Sequence, residues 1–89
     1  MRVLVVEDEI RLAATLQDLL EMNGCTADVC HDGEAGLDNA LSGIYDVVLL
    51  DVMLPRIDGF TVLRRLRESG SAVPVLMLTA RSEVSDRVA

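Results

Sequence analysis

The sequence is poor in several features that would each signal a particular kind of protein. It has no lysine, all eight basic side chains being arginine, and no dense basic cluster. Against 15 acidic residues this leaves a formal charge of −7, so the segment is not built to grip a phosphate backbone. No apolar run approaches the roughly 20 residues that span a bilayer, and no signal-peptide pattern opens the chain. Those absences imply no membrane partner and a cytoplasmic setting. Only two cysteines occur, Cys25 and Cys30, without CxxC spacing. Their odd offset in a strand-like segment sends them to opposite faces, so they read as small buried hydrophobes and not as a bridge. The few aromatics include Tyr45 and Phe60, both expected in core or rim packing.

What is present is regular alternation. Residues 2–6 form a continuous β-branched and leucine run, the pattern of a strand buried on both faces. From Ile10 the period changes: Ile10, Ala13, Leu16, Leu19 and Leu20 predict one helical face, stopped by Asn23-Gly24. Residues 25–30 predict a weaker strand. Asp32-Gly33-Glu34 opens a second helix that closes near Gly43, and residues 46–50 predict a third strand, apolar on both faces. Asp58-Gly59 starts a third helix with Phe60, Leu63 and Leu66 inward and Arg64, Arg65 and Arg67 in solvent. Residues 73–78 predict a fourth strand with Pro74 tolerated at its start, and Ser82 could cap a final helix. Strands alternating with helices in 89 residues imply one small α/β domain, a parallel sheet covered on both faces. The last helix looks cut short at Ala89.

In such a sheet a ligand site lies beyond the carboxyl ends of the strands. Strand one ends in Glu7-Asp8-Glu9, strand three in Asp51 and strand four in Thr79-Ala80. The continuous apolar runs mark strands one and three as central neighbours, which would bring Glu7, Asp8 and Asp51 to one rim with a hydroxyl beside them. Three carboxylates there repel one another, and a hard divalent cation removes the penalty. Mg²⁺ suits one or two carboxylates with waters and phosphate oxygens, and a carboxylate beside it can attack phosphorus. Alone, Asp51 reads equally well as a turn aspartate. Glu9 reads as a first-turn dipole partner, Asp58 as a helix cap and His31 as a solvated loop residue.

Three stretches, VLVVEDE from Val3, VVLLDVMLPRIDG from Val47 and PVLMLTAR from Pro74, resemble the receiver domain of two-component response regulators. The resemblance runs the whole chain in register and is greatest to receivers coupled to winged-helix DNA-binding domains. It implies a flavodoxin-like, doubly wound three-layer α/β fold, here with four strands and about four helices. By that resemblance Asp51 is the phosphoacceptor, phosphorylated by a sensor histidine kinase. Asp8 would bind Mg²⁺ directly, Glu7 through a water, and the backbone carbonyl of Met53 would complete the metal site. Thr79 would bind the phosphoryl group, and Ala80 would leave room for it. DNA would be reached only through a C-terminal effector domain beyond residues 1–89.

The chain departs from the family pattern after the fourth strand. The family's fifth strand, with its phosphoryl-pairing lysine and switch aromatic, has no counterpart, so Mg²⁺ binding is expected to survive while phosphorylation is weak. Arg81 is a poor substitute for an ammonium. An exposed fourth-strand edge is expected to drive homodimerisation or exchange of the last helix. The alternative function is therefore a self-associating fragment without phosphotransfer. Two other classes fail on particular residues. An aspartyl phosphatase would need an acid two positions beyond Asp51, where Met53 stands, and a dinucleotide-binding turn would need glycines where Glu7-Asp8-Glu9 stand.

Overall fold

The computed structural model describes residues 1–78. The elements run β1 (Arg2–Val6), α1 (Ile10–Met22), β2 (Thr26–Cys30), α2 (Gly33–Ala40), β3 (Val47–Asp51), α3 (Gly59–Glu68) and β4 (Val75–Leu78). The helix expected after Ser82 lies outside the described residues. All strand pairs are parallel, in the order β2-β1-β3-β4. This is the flavodoxin-like order, in which the winding reverses between β1 and β3.

Burial on both sides accounts for the continuous apolar strands. Leu4 and Val6 of β1 and Val48 and Leu50 of β3 join Ala40, Tyr45, Val62 and Leu66 in one buried cluster against α2 and α3. Val3 and Val5, pointing the opposite way by the two-residue alternation of a strand, are also buried, as are Ala13 of α1 and Ala27 of β2. Each fully buried leucine or valine contributes roughly 1.5–3 kcal/mol to the sheet–helix packing.

The helix ends follow from local chemistry. Asp32 and Asp58 are N-caps, accepting from Ala35 N at 2.8 Å and Thr61 N at 2.8 Å. Helices α1 and α3 end alike: Gly24 and Gly70 take φ of +85° and +93°, and the next amides, Cys25 N and Ser71 N, reach back to Leu20 O and Leu66 O. That is a Schellman closure, which favours glycine because a Cβ is strained in the left-handed region. At the opposite rim from the acidic residues, Tyr45 Oη donates to Asp28 Oδ2 at 2.7 Å and Arg2 N donates to Asp46 Oδ2 at 2.6 Å. The first bond ties the segment before β3 to β2, and the second ties it to the start of β1.

Two expected helix faces are corrected. In α3 Phe60 points to solvent, 62% exposed, and the buried positions are Gly59, Val62 and Leu66. In α1 Ile10 and Leu19 are exposed, while Ala13 is buried and Leu16 and Leu20 are half-buried.

Candidate functional site

Each acidic residue arrives at the rim through its strand. Glu7 follows the last residue of β1, and its N–H donates to Cys30 O at 2.9 Å, so the chain stays in register with β2 one residue past the strand. Asp51 is the final residue of β3, register partner of Leu78 in β4. Because β1 and β3 are hydrogen-bonded neighbours, Glu7, Asp8 and Asp51 converge, one carboxylate oxygen of each lying within 4.8 Å of the others. Glu7 and Asp51 are buried, and Asp8 is exposed at the mouth.

This crowding costs Glu7 its usual acidity. Burial pushes its carboxyl up to about 7; the Glu9 N–H, bonded to Oε2 at 3.0 Å, opposes the rise, and the charge of Asp51 with hydrogen bonds to Asp8 and Asp51 adds to it. Such a group takes up a cation or a proton. The donors are all oxygens, within reach of one small ion, which matches the preference of a hard divalent cation and not of zinc or a soft metal.

The wall beside the cluster is the β3–α3 loop, residues 52–58. Met53 N–H donates to Asp51 Oδ1 at 3.4 Å, and its side chain is exposed. Asp8, Val52, Met53, Leu54, Pro55, Asp58 and Phe60 line an open groove of about 570 Å³. The exposed Phe60 thus contributes to this groove and not to the core. Asp58 caps α3, and the Thr61 N–H that it accepts holds its carboxyl below the ordinary range. Thr79 and Ala80 lie outside the described residues.

A family model of the response regulator receiver domain matches residues 3–89. The chain belongs to that family. DltR of Streptococcus agalactiae, a transcriptional regulatory protein, is 49% identical over 88 residues, which are 99% of this chain and 39% of DltR. The chain therefore spans well under half of that relative's length. The receiver domain of the Francisella response regulator 1452 matches with a TM-score of 0.86 at 31% identity, over 98% of this chain and 72% of that one. TrrA of Thermotoga maritima, solved in complex with Mg(2+)-BeF, matches with a TM-score of 0.83 at 35% identity, over 99% of this chain and 80% of its own.

Three residues of this receiver shape the rim in ways not read from sequence, where His31 was expected only as a solvated loop residue. His31 is exposed, yet its Nδ1 donates to Glu7 O at 3.0 Å, bracing the backbone between Val6 and Asp8. Gly59 lets α3 start hard against β3: an added Cβ would lie 2.2 Å from Asp51 O. Gly33 gives the same close approach between α2 and Ile57, where a Cβ would lie 2.0 Å from the Ile57 carbonyl oxygen. The only sequence signal was a glycine after a capping aspartate in both helices. Among the described residues no helix is long and apolar enough to cross a membrane.

Proposed function

We propose that this chain is the phosphoacceptor receiver of a two-component response regulator, with Asp51 accepting a phosphoryl group from a sensor histidine kinase in a Mg²⁺-dependent reaction. The observation that carries the reading is the convergence of Glu7, Asp8 and Asp51 at the β1–β3 rim. In the transfer an Asp51 carboxylate oxygen attacks phosphorus, the bond from phosphorus to the kinase imidazole nitrogen breaks, and that nitrogen leaves with the bonding pair and takes a proton. Asp8, Asp51, the Met53 carbonyl and, through a water, Glu7 would hold Mg²⁺. The ion supplies charge neutralisation for the acidic rim and for the phosphoryl oxygens. Burial of Asp51 limits competing water, and the Met53 N–H, 3.4 Å from Oδ1, orients its carboxylate. Thr79 would bind the phosphoryl group beside Ala80. Control of transcription, suggested by the name of DltR, would run through an effector outside this chain.

The test is incubation with Mg²⁺ and acetyl phosphate followed by intact-mass measurement, with a parallel Mg²⁺ titration by NMR. The expected result is one phosphoryl adduct, lost in Asp51→Asn, with Mg²⁺-dependent shifts at Asp8 and Asp51. Shifts without an adduct would keep the metal site and overturn the phosphoacceptor role of Asp51. Neither shifts nor adduct would overturn the proposal.

A second reading, self-association through β4, is favoured by one observation. Among the described residues β4 pairs only with β3, and Leu76 is 59% exposed. Light scattering at rising concentration tests it, since a mass fixed at one chain would exclude association.

A further inference from the structure

We infer that the start of helix α2 is the positioning element for the β3–α3 loop, with Gly33 fixing where the Met53 carbonyl meets the metal. The inference rests on the Mg²⁺ reading above and deepens it.

The loop has few bonds of its own. Ile57 N–H reaches Pro55 O at 3.0 Å, and Gly59 N–H reaches Val52 O at 2.8 Å. Arg56 between them holds a left-handed φ of +74°, a conformation that costs a non-glycine residue of the order of 1 kcal/mol. A short, strained segment of this kind takes its position from what it packs against. That support is α2. Gly33 N–H donates to Pro55 O at 3.3 Å, and Arg56 Nε lies 3.8 Å from Asp32 Oδ2, the same side chain that caps α2. Leu54 and Ile57 meanwhile pack against the buried cluster, so the inner side of the loop is held as well.

Gly33 matters because its neighbour is backbone. An alanine Cβ would sit 2.0 Å from Ile57 O and 2.8 Å from Ile57 Cγ1. A side chain could rotate away, but a carbonyl moves only with its loop. Met53 lies four residues upstream on that loop, and its carbonyl, proposed above as a ligand, cannot adjust by rotamer. Mg²⁺ demands near-ideal octahedral geometry at about 2.0–2.1 Å. A displacement of a few tenths of an ångström, which packing alone would absorb, is therefore read out as lost affinity. Linkage requires the converse: Mg²⁺ must tighten the contact between Gly33 and Pro55.

Gly33→Ala tests this against Val3→Ala, a buried substitution outside the cluster that Leu54 and Ile57 pack against. In the metal-free protein, Gly33→Ala is expected to move the Met53 and Leu54 amide resonances and to weaken Mg²⁺ binding at least tenfold. Val3→Ala should lower the urea midpoint while leaving the Mg²⁺ dissociation constant unchanged, which separates positioning from general destabilisation. Wild-type hydrogen exchange supplies an arm independent of whether Gly33→Ala folds: saturating Mg²⁺ should slow exchange of the Gly33 amide at least twofold. A wild type that binds Mg²⁺ while Gly33→Ala binds it equally well, or a Gly33 amide indifferent to Mg²⁺, overturns the inference alone. A wild type with no Mg²⁺-dependent shifts overturns the metal reading and the inference together.

Discussion

Gly59 stands so close to Asp51 that a Cβ on it would lie 2.2 Å from the Asp51 carbonyl oxygen and 3.0 Å from Val52 Cα. Both obstacles are backbone of the strand end that carries the carboxylate. Two effects of opposite sign meet in Gly59→Ala. Alanine is better than glycine within a helix by about 1 kcal/mol. Overpacking against an unyielding neighbour costs about 1–3 kcal/mol or more, and at 2.2 Å the upper part of that range applies. A net loss of stability is expected, measured as a lower urea midpoint at unchanged slope, with displaced Asp51 and Val52 amide resonances. Equal or higher stability would mean that α3 starts farther from β3 than described.

Tyr45 is the only tyrosine, so phenolate absorbance in this chain reports on it alone. Burial, first, and the hydrogen bond to Asp28, second, push its hydroxyl up to about 12. The unfolded chain ionises near 10, so the folded state holds the proton in between and stability falls as pH rises from 10 to about 12. An alkaline absorbance titration should give a midpoint near 12 for the folded protein, moving part-way down in Asp28→Asn, since burial remains. Tyr45→Phe should cost about 1.5 kcal/mol, the low end for a charged acceptor, because Asp28 is partly exposed and keeps its contact with Arg2.

Much of the fold was legible because both faces of β1 and β3 are covered, which writes a continuous apolar run into the sequence. The acidic rim was legible for a related reason. A carboxylate directly after such a run has no apolar role, and the winding reversal between β1 and β3 brings Glu7, Asp8 and Asp51 together. Contacts between residues distant in sequence left no such trace. The bond from His31 to Glu7 and the seat of Ile57 on Gly33 depend on backbone approach, and a glycine in sequence does not name its neighbour. The face of α3 was misjudged because Phe60, Leu63 and Leu66 share a three-residue period. The approach of Gly59 to β3 rotates the helix so that Val62 and Leu66 face inward.

That rotation has a measurable consequence. Phe60 is 62% exposed and Leu66 is fully buried in the cluster with Val48 and Leu50. Phe60→Ala should change stability by no more than about 0.5 kcal/mol, as at other exposed positions. Leu66→Ala should cost about 2–5 kcal/mol through lost burial and the cavity left behind. Paired urea denaturation curves check the contrast, and a Phe60→Ala as costly as Leu66→Ala would restore the inward assignment of Phe60.

Glu7 sets the pH dependence of the rim. Its carboxyl titrates near 7 in the folded chain against 4.5 when free, so the folded state binds the extra proton between those values. Stability of the metal-free protein should therefore fall as pH rises from 4.5 to about 7 and level off above, where the crowded charge is fully present. Mg²⁺ competes with that proton, so its binding should release protons below about 7 and its stabilising effect should grow up to that pH. Asp51→Asn removes one cause of the shift and should move the window to lower pH, while Glu7→Gln should abolish it. Urea denaturation across this pH range, with and without Mg²⁺, reads all of these effects. A metal-free profile that rises through the window, as for a carboxylate held charged by favourable partners, would show that Glu7 is not the strained member of the cluster.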